Sequence, residues 1–236
     1  MTPVKSETDT LEWSQQSWST LDFDAGTALT PQEVKNLESI VDRNPQSSDA
    51  RILLAGYYQR SAFKQRPNAN ATKYITHLTW LIDNEPANPN LQSGYLDRRS
   101  PFYNKVRQSW QKAVRANPST VQVLANAAMF YQSSALAPAL RLWRQIIAMQ
   151  PNNAEHYRNI SFLYFLHAGD VNKPYHKQCA KLCATYLQKA LQIYNQQPID
   201  PSLRPHLQRE IAEVVELAKA FGFTAKLDLP REETNV

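Results

Sequence analysis

Three side chains that bind metal ions well lie close together in the second half of the chain. His176, Cys179 and Cys183 are spaced by three and four residues, so a helix places them on one face. Imidazole and thiolate groups are good zinc ligands, but a closed zinc site needs a fourth ligand from elsewhere. We interpret the three as core packing and keep a metal-dependent enzyme site as the alternative. We therefore predict no metal.

The other titratable side chains do not form a recognisable catalytic pattern. Glu210, Glu213 and Glu216 are spaced like paired acids for proton transfer, but on a helix this spacing is typical of a solvated face. The sequence contains no glycine-rich phosphate loop, and its histidines lie in separate predicted helices with no strained-turn nucleophile. We predict a protein that is not an enzyme and that has no cofactor.

The charge is distributed unevenly along the chain. Residues 1–59 contain four Lys and Arg against nine Asp and Glu, whereas residues 60–115 contain ten against three. The basic region carries Lys64, Arg66, Arg98, Arg99, Lys105, Arg107, Lys112 and Arg115. A solvated face is the favoured interpretation, because Phe102, Tyr103 and Trp110 have core spacing between the charges. An acidic protein partner and nucleic acid remain as alternatives.

The composition favours helices as the elements that position these residues. The 236-residue chain is 42% hydrophobic with only five glycines, which suits an all-α fold better than a sandwich or barrel. Thr30 and Glu33 form a capping box that starts one helix, and Gly222 has the position of a C-cap. Gly56 interrupts a helix, which indicates close contact with another helix.

One stretch shows how the helices are arranged. Between Pro118 and Pro151, 33 residues apart, two apolar-periodic runs extend from about Val121 to Tyr131 and from about Ala139 to Met149. The same pattern recurs before and after this stretch. About eight helices in antiparallel pairs are therefore expected.

The pattern resembles tetratricopeptide repeats from about Ser48 to Tyr194. The matching positions are Leu54, Ala55, Tyr58, Leu124, Ala127, Ala128, Tyr131, Ala139, Trp143, Ile146, Ile147, Pro151, Tyr157, Ile160, Ser161, Tyr164, Cys183, Leu187, Ala190 and Leu191. The unit between Pro86 and Pro118 departs from the pattern, because an irregular loop occupies residues 84–100. The segments around residues 74–90 and 110–131 are also similar to bacterial tetratricopeptide-like proteins, which implies a bacterial source.

The resemblance implies a right-handed superhelix that binds a peptide segment or subunit on its concave face and assists assembly of a larger complex. The partner-binding residues expected there are Asn126, Met129, Arg158, Asn159 and Phe162, to which Arg98 and Arg99 are added. Met129 and Phe162 also fit simple packing between neighbouring helices. Gln122, Glu155 and Asp49 stand where a carboxylate-binding version of the family has basic residues, so acidic chaperone tails are not the expected ligand.

Three regions are expected along the chain: an extended, partly disordered acidic segment at 1–29, a helical domain at 30–222 and a tail at 223–236. The first segment contains Leu11, Trp13, Trp18, Leu21 and Phe23. It docks on its own repeats, binds a partner or stays disordered. No apolar run reaches the length of a membrane span and no signal peptide is evident, so we expect a cytoplasmic protein with reduced cysteines.

Overall fold

The computed structural model describes residues 23–62, 68–93, 96–132, 134–169, 174–196 and 199–230, and every regular element in these ranges is helical. Two short 3₁₀ helices accompany ten α-helices in the described ranges, where about eight were expected. The α-helices are α1 Phe23–Thr27, α2 Pro31–Arg43, α3 Ser48–Ala62, α4 Ala69–Asn84, α5 Tyr103–Ala116, α6 Val121–Tyr131, α7 Leu136–Met149, α8 Ala154–Leu166, α9 Pro174–Tyr194 and α10 Arg204–Ala220. The predicted all-α class is confirmed.

The chain divides into two compact units, Met1–Ala116 and Asn117–Val236. In the first unit α3 packs against α1, α2 and α4, and α4 packs against α5. In the second unit each helix from α6 to α10 packs against the next one along the chain. Packing between helices that follow one another along the chain is what the predicted antiparallel pairs would give.

The helix α2 begins with the capping signals that the sequence contains. The Thr30 hydroxyl accepts a hydrogen bond from the Glu33 backbone N–H at 3.3 Å, and the Glu33 carboxylate accepts one from the Thr30 N–H at 2.7 Å. Pro31 occupies the first helical position of α2, where its missing N–H costs nothing. The predicted capping box is present.

Two glycines allow α1 to lie directly on α3. A Cβ atom at Gly56 would be 2.1 Å from the Phe23 carbonyl oxygen, and one at Gly26 would be 2.2 Å from the Leu53 carbonyl oxygen. Both obstacles are backbone atoms, which cannot move aside as a flexible side chain can. The close helix contact predicted from Gly56 is therefore present, and its partner is the short helix α1.

Buried apolar residues form the core of the second unit. Ala127, Ala139, Ile160 and Cys183, which occupy small or apolar positions of the predicted repeat, are all fully buried. Gly222 ends α10 with φ of +71°, and the Phe223 N–H donates to the Ala218 carbonyl at 3.0 Å. This closes the helix as the sequence predicts, because glycine adopts the left-handed conformation without strain.

Some sequence predictions differ from the structure or lie outside the described residues. Residues 23–27, part of the segment expected to be extended, form α1, while residues 1–22 and 231–236 lie outside the described ranges. The irregular connection expected at 84–100 includes the 3₁₀ helix Pro89–Ser93. None of the helices in the described ranges combines the length and apolarity that crossing a bilayer requires.

Candidate functional site

The helix α8 exposes one continuous face in the second unit. Its start is fixed by the Asn153 side chain, which accepts a hydrogen bond from the Glu155 N–H at 3.0 Å. The exposed or half-buried residues that follow at helical spacing are Glu155, Arg158, Asn159, Phe162 and Leu166. Steps of three and four residues place these side chains on one side of the helix. We call these five residues the α8 surface.

The polar end of the α8 surface is held by a guanidinium that has two carboxylate partners. Arg158 Nη1 donates to both oxygens of Glu155 at 2.8 Å, and Arg158 Nε donates to Glu210 Oε2 at 2.9 Å. A second hydrogen bond joins Arg158 Nη2 to Glu210 Oε1. Bidentate pairs of this kind fix geometry as well as charge. They connect α8 to α10.

Tyr194 of α9 joins the same group, because its hydroxyl donates to Glu155 Oε1. Burial and the Glu155 carboxylate raise the pKa of Tyr194 above its ordinary value, so the hydroxyl stays protonated. Burial alone would lower the pKa of Arg158, but hydrogen bonds with Glu210 and Tyr194 raise it above its ordinary value. The cation is therefore permanent.

An open depression of about 630 Å³ lies beside this polar end and is lined by residues 150–155 and Tyr194. Its wall includes the turn between α7 and α8, where the Tyr157 hydroxyl donates to the Pro151 carbonyl at 3.0 Å. The depression is open, so it extends the α8 surface and does not form an enclosed ligand cavity.

The other end of the α8 surface is apolar. Phe162 is 49% exposed and Leu166 is 45% exposed, and the two are four residues apart on the same face. Phe165 beside them is half-buried. Large apolar side chains exposed as neighbours are more informative than single ones, since together they form a patch suited to contact with another molecule.

The predicted site residues of α6 lie in a different setting. Asn126 is fully buried, and its Oδ1 accepts a hydrogen bond from Gln122 Nε2 at 2.8 Å. Met129 is half-buried. The structure thus places Arg158, Asn159 and Phe162 together on the α8 surface, while Asn126 lies within the core of the unit.

Comparison of the chain with protein-family models and with curated proteins found no match. The tetratricopeptide-like interpretation therefore stays a prediction, and function has to be argued from the geometry of the described residues.

Two of the three residues considered for a metal site, both cysteines, are buried, while His176 is half-buried. Cys183 and Cys179 are free thiols, 0% and 2% exposed, and the Ser161 hydroxyl donates to the Cys183 carbonyl at 2.8 Å. Burial raises the pKa of Cys183 to about 11, so the thiol is protonated at neutral pH. No group of three His, Cys, Asp or Glu side chains suited to hold a metal occurs in the described part of the chain.

Arg98 and Arg99 lie in the first unit, just before α5, and both are exposed. Arg99 pairs with Asp97 at 2.7 Å, and hydrogen bonds from Arg99 lower the pKa of Asp97 to about 2. Among the three acids of α10, Glu210 binds Arg158 and Glu216 pairs with Lys219 at 2.6 Å. Asp97, Glu210 and Glu216 therefore each take part in an ion pair.

Sequence reasoning missed a buried polar cluster in the first unit. Tyr58 donates to Glu38 at 2.7 Å, Arg51 lies 3.4 Å from His77 Nδ1, and the Arg51 guanidinium stacks 4.4 Å above the ring centre of Trp80. Arg51, Tyr58 and His77 are all at most 8% exposed. No local sequence motif indicates this cluster, because its members come from three different helices.

Proposed function

We propose that this chain is a non-enzymatic scaffold that holds a segment of a partner protein on the α8 surface and so assists assembly of a larger complex. The observation that carries the proposal is the exposed apolar pair Phe162 and Leu166 on a helix whose polar end is rigidly held. We propose the bacterial cytoplasm as the place of this role.

The composition of the α8 surface fits the anatomy of a protein interface. Aromatic and large aliphatic side chains form the dehydrated centre of such interfaces, and polar groups surround them. Phe162 and Leu166 supply the apolar centre, and the amide of Asn159 can hydrogen-bond the backbone of a bound segment. In the repeats that the sequence resembles, α8 is a first helix, and first helices carry the binding face.

Crosslinking tests this assignment in the native host. A photoreactive phenylalanine analogue replaces Phe162 in one strain and Tyr175 in another, since Tyr175 is 56% exposed on α9 but outside the α8 surface. We expect position 162 to give a discrete adduct with one partner protein, mapped by mass spectrometry to one segment. Adducts that are the same at both positions, or that contain only a second copy of this chain, would contradict the proposal.

The mapped segment then serves as the ligand for a binding titration. Leu166→Ser should weaken its binding about fivefold or more, because an apolar contact at the centre of an interface contributes more than about 1 kcal/mol. Met149→Ser is the matched control, as Met149 is exposed in the same unit but lies on α7. Equal weakening by both variants would count against the α8 surface.

A further inference from the structure

A second surface lies in the first unit and does not depend on the role of α8. The helix α5 contains Lys105, Arg107, Lys112 and Arg115 and no Asp or Glu. The absence of acids continues upstream, since residues 98–116 hold six cations and no carboxylate side chain. A helix on a solvated face ordinarily mixes both signs of charge, which limits self-repulsion.

Burial divides α5 into two faces. Tyr103, Val106, Trp110 and Ala113 are buried, on a helix that packs against α4. The exposed residues opposite them are Asn104, Lys105, Gln108, Gln111, Lys112 and Arg115, which we call the α5 surface. Every side chain of the α5 surface is thus a cation or an amide, and each of them can donate a hydrogen bond.

Three cations of α5 form no ion pair with a carboxylate in the described part of the molecule. Lys73, Arg158 and Lys219 each have a carboxylate partner, but no described carboxylate forms an ion pair with Lys105, Lys112 or Arg115. These exposed charges can therefore attract an anionic molecule from solution.

The chemistry of the α5 surface distinguishes between polyanions. A protein interface has apolar or aromatic side chains at its centre, and single-stranded nucleic acid is bound by stacking its bases on exposed aromatics. The aromatic residues of α5, Tyr103 and Trp110, are only 7% and 1% exposed. They therefore provide neither the apolar centre of a protein interface nor a surface on which bases stack. What remains is contact with the phosphate backbone, which needs only donors and positive charge.

The dimensions suit a duplex. Lys105 and Arg115 are ten residues apart, which is about 15 Å along a helix axis, and the major groove of B-DNA is about 12 Å wide. Cations at the two ends of this span reach phosphates on both sides of the groove. We propose that the α5 surface binds the phosphate backbone of double-stranded nucleic acid independently of sequence.

Fluorescence anisotropy on the full chain tests the proposal with labelled DNA and RNA duplexes of about 20 base pairs. Three phosphate contacts give a slope of about −2.7 in log affinity against log salt, which is a loss of about 40-fold between 50 and 200 mM. We expect this salt dependence for the unmodified chain with both duplexes. Salt-independent binding, or no binding at 50 mM, would overturn the proposal.

Charge reversal locates the site. K105E/K112E/R115E should weaken duplex binding at least tenfold at 50 mM salt. The matched control is K177E/K181E/K189E on α9, which is also free of acids and whose three lysines are exposed. This control changes the net charge equally, so binding within about threefold of the unmodified chain is expected. Equal weakening by the two variants would show that the net charge of the chain determines duplex binding. That result would contradict a site on the α5 surface.

Two further measurements complete the test. Lys112→Gln removes one charge from an exposed position and should reduce the salt slope by about one, a readout that a folding defect does not produce. Poly-glutamate of matched charge competes as an acidic protein. If it displaces the duplex at equal or lower charge concentration, an acidic protein is the ligand and the duplex assignment is wrong.

Discussion

His77 illustrates how a single buried side chain responds to its neighbours. It is 8% exposed and its ring stacks at 6.3 Å on that of Tyr58. Burial and the Arg51 guanidinium lower the pKa of His77 to about 4, although Glu38 acts in the opposite direction. The neutral imidazole is therefore the form that the folded chain requires near neutral pH.

The lowered pKa makes stability depend on pH in a defined window. The unfolded chain binds a proton at His77 below pH about 6.5, whereas the folded chain binds it only below about 4. The unfolded state thus holds more protons in this window, and the free energy of unfolding falls as the pH is lowered from about 6.5 to 4, by up to about 3 kcal/mol. Urea denaturation at several pH values in this range measures the change in the free energy of unfolding.

His77→Gln should flatten that part of the pH profile, because glutamine has no proton to gain. His206→Gln is the control, since His206 lies exposed on α10 and outside the cluster. A profile that keeps its slope between pH 6.5 and 4 after His77→Gln would contradict this account.

Individual residues also show where sequence reasoning reached its limit. The helix α6 is apolar on almost every side, and eight of its 11 residues are buried, so its pattern does not reveal which side faces solvent. The position of Asn126 in the repeat that the sequence resembles predicts a binding face, but its side chain lies in the core. In α8 the polar and apolar positions alternate with helical spacing, so Arg158, Asn159 and Phe162 could be placed on one face.

At the scale of elements, the contact between α1 and α3 depends on the two glycines. Glycine costs about 1 kcal/mol relative to alanine in a helix interior, so a glycine at position 56 needs a compensating reason. Its Cα lies against the backbone of Phe23, and this approach lets the Phe23 ring, 1% exposed, enter the core of the first unit.

Gly56→Ala should therefore destabilise the first unit by about 1–3 kcal/mol, the usual cost of forcing an atom into a packed site. Urea denaturation followed by circular dichroism measures the change. Gly26→Ala meets the same contact from the other helix, where its Cβ would lie 2.2 Å from the Leu53 carbonyl, and should give a similar loss. A gain of about 1 kcal/mol in Gly56→Ala, the plain helix-propensity effect, would refute the contact.

Helix boundaries were harder to predict than helices. α4 begins at Ala69, where the Asn68 side chain accepts a hydrogen bond from the Ala71 N–H at 2.8 Å. α7 begins at Leu136 and not at Ala139. Cap geometry and the packing of first turns fix such ends, and periodicity alone does not contain this information.

At the scale of the whole molecule, the chain separates at the turn between α5 and α6. The compact units meet in sequence at Ala116 and Asn117, within the region expected to be one helical domain at 30–222. Helical periodicity continues across this turn with an Asn-Pro step like those inside the units. The sequence therefore could predict the helices, but it could not distinguish a turn within a unit from a turn between units.

Insertions test the division. A Gly-Ser linker of about six residues between Ala116 and Asn117 should lower the free energy of unfolding by no more than about 1 kcal/mol, the entropy of a longer loop. The same linker between Pro151 and Asn152 should cost more, because it separates α7 from α8 and breaks the 3.0 Å bond from Tyr157 to Pro151. The urea midpoints of the two insertion variants measure the two losses. A larger loss at residue 116 would contradict the division.

The ion pairs around Arg158 make the two ends of the α8 surface electrostatically different. Two carboxylates share one guanidinium there, so one negative charge stays unbalanced, and the positive end of the α8 dipole offsets only about half of it. If a partner segment binds the α8 surface as proposed, one polarity is favoured, with its lysine, arginine or free amino end over Glu155 and its apolar side chains over Phe162 and Leu166. The reverse orientation, and segments that end in a carboxylate at that point, would be repelled.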